Sequence, residues 1–275
     1  LSLMNIEWLD KKFNILDTPG YLDFHGEVKS AMVVADFAAI VVSSLEGIDV
    51  GTEICWDYAD NKFSIPKLFI INMADKDQSD FDSVLAALQS RYGRTVFPFT
   101  LPVNQGPNFN QVADVLRKEV FTFKADGSGN YTEAAAEGEW VQKLEGMHND
   151  LIELIAESDE SLLEIFFDKG ELSEDELRSG LHQALKTGGL IPVFCVAGKT
   201  NIGVKRMMDI LAKYAPCAGD FEEVVGTKPG SDEEVIHGSS ESDSLAARVF
   251  KTISEEHIGE MSFFRVYSGK VNAGD

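Results

Sequence analysis

The chain has 275 residues, of which 44% are hydrophobic and 25% charged, and this balance excludes a disordered chain and predicts two or three compact units. No apolar stretch approaches the roughly 18 uncharged residues that a membrane span needs, so we expect no membrane contact. With 46 acidic and 24 basic residues, the formal net charge of -22 excludes a surface that binds nucleic acid mainly by its charge.

The first part of the chain alternates apolar runs with helical patterns. Strands are predicted at residues 13–16, 37–43 and 66–72, and helices at residues 28–35 and about 51–60 lie between them. Continuous apolar strands joined by helices are typical of a parallel sheet that is covered on both faces. We therefore expect an α/β domain in which all three strands belong to one parallel sheet.

The pattern changes after a predicted helix at about residues 82–92. Short strands are predicted at residues 95–103, 111–116 and 119–124. Acidic amphipathic helices are predicted after them, at about residues 138–157 and at residues 173–186. A Gly-rich turn at residues 126–130 separates these strands from the helices, and Ser173 with Glu176 forms a capping box. We interpret residues 94–187 as an α+β insertion.

The α/β pattern returns at residues 188–216, with a predicted strand at residues 190–195 and a helix at residues 204–214. Residues 217–245 are rich in Gly, Ser, Asp and Glu, which is typical of a linker. Residues 246–275 alternate as antiparallel strands do, so we expect a further domain to begin there.

The start of the chain indicates whether the sequence is a piece of a longer protein, and its cysteines indicate the cellular compartment. Leu1 is not an initiator methionine, and the residues after it lack the features of a signal peptide, so we expect a piece of a longer protein. Cys55, Cys195 and Cys217 are odd in number, far apart and without metal-ligand spacing. They fit a reducing compartment, and we expect a cytoplasmic protein.

Polar residues follow three of the predicted strands. They are Asp17, Thr18, Pro19 and Gly20 after the first, Asn72 and Asp75 after the third, and Ala197, Gly198 and Lys199 after the last. Because loops at the carboxyl ends of sheet strands meet in one crevice, these residues indicate a ligand site. The first two groups also suit an ordinary turn, so the pattern alone leaves that alternative open for them.

Five separated segments resemble elongation factor G, a translational GTPase, in order and spacing. The segments are FNILDTPGYLDFHGEV, IPKLFIINMADKDQSDF, LPVNQGPNFNQVADVL, GLIPVFCVAGKTNIGVKRMMDIL and MSFFRVYSGKVNAGD. The resemblance implies an α/β fold with an incomplete, mostly parallel sheet of the P-loop GTPase type, an α+β insertion subdomain and the start of an antiparallel β-barrel domain. It also implies that the phosphate-binding loop would lie before Leu1.

The resemblance assigns the domains as well. Residues 1–93 and 188–216 would be the two parts of the GTP-binding domain, and residues 94–187 the inserted subdomain. Residues 217–245 would be the linker, and residues 246–275 the start of the β-barrel domain.

Roles for the polar residues follow from the same resemblance. Asp17 to Gly20 match the second-switch motif, in which Asp17 holds Mg²⁺ through water and Gly20 approaches the γ-phosphate. Asn72 and Asp75 match the guanine-reading motif, and the loop Ala197-Gly198-Lys199 reads the base partly through backbone N–H groups.

Three positions depart from the family pattern. Tyr21 stands where such factors carry a histidine that orients the attacking water, and a phenol cannot become a cationic imidazole. His25 follows about one helical turn later and could face the same side, but its ring would have to reach back past Tyr21 to the phosphate, so we expect it to cap or pack instead. Met73 replaces the lysine of the base-reading motif, and Ala197-Gly198 stands where the family usually has Ser-Ala.

The resemblance implies a monomeric, ribosome-dependent GTPase of translocation or recycling, which uses GTP and Mg²⁺. Its partners would be ribosomal RNA and proteins, including those of the stalk, mostly through regions outside this chain. Residues 1–275 alone are expected neither to bind GTP nor to be active. One alternative is a ribosome-binding paralogue that hydrolyses GTP weakly or not at all, and another is an interaction module that works through the acidic insertion.

Overall fold

The protein forms two compact units in its computed structural model, which describes residues 1–170, 172–221, 223–228, 230–256 and 259–274. The larger unit contains Asn5–Ile15 and Phe37–Ala215, and the smaller contains Leu1–Met4, Leu16–Asp36 and Pro216–Asp275. Among the described residues no helix is both long enough and apolar enough to cross a membrane.

The helices are α1 (His25–Met32), α2 (Val50–Asp57), α3 (Phe81–Tyr92), α4 (Glu139–Glu157), α5 (Glu160–Lys169), α6 (Glu174–Thr187) and α7 (Val204–Tyr214). The strands are β1 (Ser2–Trp8), β2 (Lys11–Asp17), β3 (Ala38–Ser43), β4 (Lys67–Asn72), β5 (Val96–Pro98), β6 (Thr100–Pro102), β7 (Gln111–Asp114), β8 (Glu119–Phe123), β9 (Tyr131–Ala135), β10 (Ile191–Cys195), β11 (Glu223–Thr227), β12 (Glu234–Gly238), β13 (Ala246–Glu255) and β14 (Gly259–Ser268).

A four-stranded parallel sheet in the order β3-β4-β10-β5 organises the larger unit. The central strands β4 and β10 are almost entirely buried, which is why they read as continuous apolar runs. On the outer strand β3 one face is exposed, and Val41 is 58% accessible there. The predicted α/β fold with a parallel sheet is therefore confirmed.

The strand that precedes Asp17 departs from the prediction. We expected residues 13–16 to join the parallel sheet, but β2 pairs with β1 in a separate two-stranded sheet. Leu9 and Asp10 join the two strands with φ of 46° and 60°, the positive values of a tight hairpin turn. The expectation was wrong because β2 is mostly exposed, and an exposed strand can satisfy its backbone by pairing with its chain neighbour.

The segment assigned to the insertion contains the antiparallel sheet β6-β7-β8-β9 and helices α4 to α6. β5 lies in the same segment but pairs with β10, so the parallel sheet extends beyond Gly93. β9 and α5 are elements that the sequence patterns did not indicate. A single hydrophobic cluster joins residues of the parallel sheet, such as Leu68, to residues of the insertion, such as Phe121 and Leu144.

The smaller unit contains α1 and two antiparallel pairs. β13 and β14 form an antiparallel pair, as the alternating pattern predicted, and its register shifts between Ala246 and Ala247 and again between Val249 and Lys251. The linker composition of residues 217–245 did not indicate β11 and β12, which form a hairpin of their own. Arg265 of β14 donates to the carbonyl oxygen of Val34 and pairs with Asp36 at 2.6 Å, so it holds the chain that leaves α1.

Candidate nucleotide-binding site

Asn72 links two of the predicted loops in the larger unit. β4 and β10 are adjacent and parallel, with Cys195 opposite Ile71, so the chains that follow them leave the sheet at the same edge. The Gly198 backbone N–H donates to Asn72 Oδ1 with an N···O distance of 2.9 Å. The expectation that these two loops lie close together is therefore met, and a side-chain hydrogen bond fixes their separation.

The residues after Asn72 are held in a tight turn. Met73 has a φ of 71°, a left-handed conformation that is unusual for an unbranched apolar residue. The next N–H, that of Ala74, donates to the carbonyl oxygen of Val196 at 3.3 Å, which ties the turn to β10 a second time. Asp75 follows with its side chain 12% exposed and Lys76 Nζ 3.8 Å from its carboxylate. A largely enclosed carboxylate of this kind is suited to accept hydrogen bonds from a ligand N–H.

The loop after β10 is closed on itself. Ala197 and Ile202 exchange two backbone hydrogen bonds of 2.9 and 3.1 Å, and residues Gly198–Thr200 between them form one turn of 3-10 helix. Ala197 is fully buried, whereas Gly198 and Lys199 are exposed. The loop is therefore a rigid frame in which the N–H groups of Ala197 and Gly198 already donate to Ile202 and Asn72, and recognition of a base through backbone N–H groups stays a prediction.

The segment that was predicted to be the second switch, Asp17 to Gly20, belongs to the smaller unit. Asp17 ends β2 and is exposed, and the space around Gly20 is open. Tyr21 precedes a short 3-10 turn, Leu22–Phe24, which runs directly into α1 at His25. The Tyr21 side chain is 78% accessible, and its carbonyl oxygen accepts from the Phe24 N–H at 3.0 Å. Tyr21 is thus largely open to solvent just before the 3-10 turn that leads into α1.

Asp17 is the residue of this segment that was predicted to hold Mg²⁺ through water. Within the described residues no group of three or more His, Cys, Asp and Glu side chains is arranged to hold a metal ion. Asp17 alone offers one exposed carboxylate, which fits a water-mediated contact to an ion whose other ligands are water and phosphate. The residue at this position therefore fits the assigned role but does not form a metal site by itself.

Asn201 helps to hold the loop of residues 197–202 in shape, and the sequence patterns did not identify this residue. It has a φ of 58°, and its N–H donates to the carbonyl oxygen of Gly198 at 3.3 Å, which closes the 3-10 turn. Asparagine tolerates the left-handed region better than most residues, and an Asn at the end of the loop was the signal available. Its further contact, to Gly127 in the insertion, has no local sequence signal.

Comparison with known proteins gives a family and a similar solved structure. Residues 1–217 match the family of the elongation factor Tu GTP binding domain. Among solved structures, a crystal structure of a protein from Thermus thermophilus is similar over 99% of this chain, with a TM-score of 0.84 and 27% sequence identity. The match covers 38% of the Thermus chain, so this chain spans well under half of the length of that protein.

Proposed function

Because the chain belongs to the family of the elongation factor Tu GTP binding domain and is a translational GTPase of the elongation factor G type, we propose that its full-length protein binds GTP with Mg²⁺ and hydrolyses it on the ribosome, in translocation or recycling. Contacts with ribosomal RNA and stalk proteins, a cytoplasmic location and a monomeric state belong to the same proposal. They are supported by the family resemblance.

One observation carries the proposal, the hydrogen bond from Gly198 N–H to Asn72 Oδ1. It fixes two loops at the same edge of the sheet, so that the Asp75 carboxylate and the exposed backbone of the second loop belong to one rigid frame. Guanine offers two neighbouring N–H donors, N1–H and the N2 amino group, and a carboxylate accepts both. This arrangement supports Asp75 as the group that distinguishes guanine from other bases.

We therefore expect Asp75→Asn to exchange guanine for xanthine specificity in the full-length protein. The asparagine amide loses one acceptor and gains a donor, which repels the guanine amino group and suits the oxygen that xanthine carries at that position. One charge-assisted hydrogen bond of about 1.5–3 kcal/mol is replaced by a contact between two donors, and the other loses its charge, so the affinity for GTP should fall by at least about 100-fold. Titration calorimetry with GTP and XTP measures both affinities.

Asp77→Asn is the matched control, because Asp77 is an exposed carboxylate in the same turn and its loss removes the same charge. It should leave the GTP and XTP affinities within about threefold of the wild type, the change that a screened surface charge produces. An Asp75→Asn protein that still prefers GTP over XTP would contradict the assignment of the base-reading site.

A second function is favoured by Tyr21. Its phenol is 78% exposed at the position where the family carries a histidine, and it cannot supply a cationic imidazole. This supports a paralogue that binds the ribosome with GTP but hydrolyses it weakly or not at all. Comparing the rates of GTP cleavage with and without ribosomes separates the two functions.

A further inference from the structure

The closed loop of residues 197–202 is not supported by the sheet alone. Its 3-10 turn ends at Asn201, which adopts a left-handed conformation with φ of 58° and ψ of 32°. Because Asn201 N–H donates to the Gly198 carbonyl oxygen, a shift of Asn201 would move Gly198 and the bond that Gly198 makes to Asn72. The position of Asn201 therefore sets the geometry of the base-reading loop.

The Gly-rich turn between β8 and β9 contacts Asn201 directly. Asn201 Nδ2 donates to the carbonyl oxygen of Gly127 at 3.3 Å. The turn is held in shape by its own hydrogen bonds, from Ser128 N–H to Asp126 Oδ1 at 2.9 Å and from Asn130 N–H to Ser128 Oγ at 3.2 Å. A preformed turn of the insertion thus holds the side chain of Asn201.

Gly129 shows how close this approach is. It has a φ of 71°, and a Cβ added there would lie 2.7 Å from Asn201 Nδ2 and 3.2 Å from the Asn201 carbonyl oxygen. The nearer contact is shorter than real Cβ contacts, so any side chain at this position would displace Asn201. Glycine is needed here both for its backbone conformation and for the space that it leaves.

A second anchor fixes the turn on helix α7. Lys205 Nζ donates to Asn130 Oδ1 at 3.4 Å and lies 5.5 Å from the centre of the Tyr131 ring. Tyr131 in turn donates its hydroxyl to Asp209 at 3.1 Å. Burial and the neighbouring Asp209 charge raise the pKa of Tyr131 to about 12, so this hydroxyl remains a donor at physiological pH. The turn at residues 126–130 is therefore attached at two points, to Asn201 at the end of the loop and to Lys205 in α7.

We propose that the turn at residues 126–130 positions the base-reading loop through Asn201, so that the insertion controls how firmly the guanine base is held. Gly127, Gly129 and Asn201 are positioning residues, because they act through Gly198 and do not touch the base. The proposal rests on the proposed function, in that the loop is taken to read guanine.

The first test needs no nucleotide. In residues 1–275, the hydrogen-exchange rate of the Gly198 amide reports its bond to Asn72, and NMR measures it residue by residue. Asn201→Gly keeps the left-handed backbone accessible and removes the side-chain bond to Gly127. Both Asn201→Gly and Gly129→Ala should speed exchange at Gly198 by about two- to tenfold, the range of one hydrogen bond, and leave Phe69 in β4 unchanged.

Gly170→Ala is the matched control for backbone strain. Gly170 has a φ of 75°, close to that of Gly129, but no atom lies within 4 Å of an added Cβ. It should carry the same conformational cost without speeding exchange at Gly198. Unchanged exchange at Gly198 in both Asn201→Gly and Gly129→Ala, or equal acceleration in Gly170→Ala, would overturn the proposal.

The second test measures dissociation of a fluorescent guanine nucleotide from the full-length protein. Asn201→Gly and Gly129→Ala should release GDP about two- to tenfold faster than Gly170→Ala does. Faster exchange at Gly198 with unchanged GDP release would overturn the control of base binding. A wild-type protein that binds no guanine nucleotide contradicts the proposed function, and the exchange rates then still decide whether the turn positions the loop.

Discussion

Tyr21 and Met73, the positions at which the sequence was predicted to depart from the family pattern, have very different surroundings. Met73 is confined to a turn with a φ of 71° that hydrogen bonds fix on both sides, so its effect is local to the turn that follows β4. Tyr21 lies at the entry to the switch helix with its ring 78% exposed. Replacing Tyr21 therefore changes the chemistry offered to a ligand without disturbing a packed side chain.

We expect Tyr21→His to raise ribosome-stimulated GTP hydrolysis by the full-length protein by about one to three orders of magnitude, the range of one positioned acid/base or water-orienting side chain. The exposed position accepts the imidazole without repacking, so GTP affinity should barely change. Single-turnover GTP cleavage with and without ribosomes measures the effect.

Tyr21→Phe separates the hydroxyl from the ring in the same assay. If the phenol contributes nothing to hydrolysis, Tyr21→Phe and the wild type should cleave GTP at equal rates. Equal rates for Tyr21→His and the wild type on the ribosome would show that Tyr21 does not limit the reaction.

At the scale of elements, helices and strands were predicted correctly where the sequence signal lies within the residues of the element itself. The amphipathic periodicity of α7 and the capping box of α6 lie within their own residues, and both helices begin and end close to the predicted positions. β9 was not predicted, because it is mostly exposed and its residues Thr132 and Glu133 weaken the alternation of apolar and polar residues that indicates a strand. The contact between Gly127 and Asn201 joins residues far apart in the chain, so no local pattern could indicate it.

Helix α2 illustrates an element whose stability depends on one side chain. Asp49 caps its N-terminus, and its carboxylate accepts from both the hydroxyl and the backbone N–H of Thr52 at 2.7 Å. The hydrogen bond from the Thr52 hydroxyl, followed by that from the Thr52 backbone, lowers the pKa of Asp49. A carboxylate with a lowered pKa in the folded state stabilises the fold above its unfolded pKa of about 4, and this stabilisation is lost as the pH falls.

We expect Asp49→Ala to lower the free energy of unfolding by about 1 kcal/mol at pH 7, because the cap is lost. The difference between the wild type and Asp49→Ala should shrink as the pH falls from about 5 to below 4. Urea unfolding at a series of pH values measures it.

Asp49→Asn is the control, since asparagine caps a helix about as well and does not titrate in this range. Its advantage over Asp49→Ala should therefore persist at low pH. A wild-type advantage over Asp49→Ala that is independent of pH would show that the charged cap does not stabilise α2.

At the scale of the whole molecule, a buried ion pair joins the insertion to the sheet domain. Arg206 of α7 donates to Asp114 of β7 at 2.6 Å, and the two side chains are 6% and 0% exposed. Burial alone would lower the pKa of Arg206, but the Asp114 carboxylate outweighs it, so the net shift is upward and the guanidinium stays charged. Breaking such a pair costs more than forming it gains, because one charge is left buried without a partner.

We expect the insertion and the parallel sheet to unfold together, because they share this pair and one hydrophobic cluster. Two tryptophans report on the two parts: Trp56 stacks on Phe69 of β4, and Trp140 lies in α4 of the insertion. Variants that keep Trp56 or Trp140 and replace the other tryptophans by phenylalanine should give the same midpoint in thermal unfolding followed by fluorescence.

The coupling can then be tested by breaking the pair in both single-tryptophan proteins. Arg206→Met should cost about 3–5 kcal/mol and shift both midpoints equally, whereas the double variant Asp114→Leu/Arg206→Met should recover most of the loss, because no buried charge remains. Lys213→Met is the control on the same helix, and as an exposed change it should stay within about 0.5 kcal/mol of the wild type. Separate midpoints for the two probes, or a shift of one probe alone in Arg206→Met, would mean that the insertion unfolds as an independent body. The turn at residues 126–130 would then be free to move without the sheet, so the outcome also decides how directly the insertion can act on the base-reading loop.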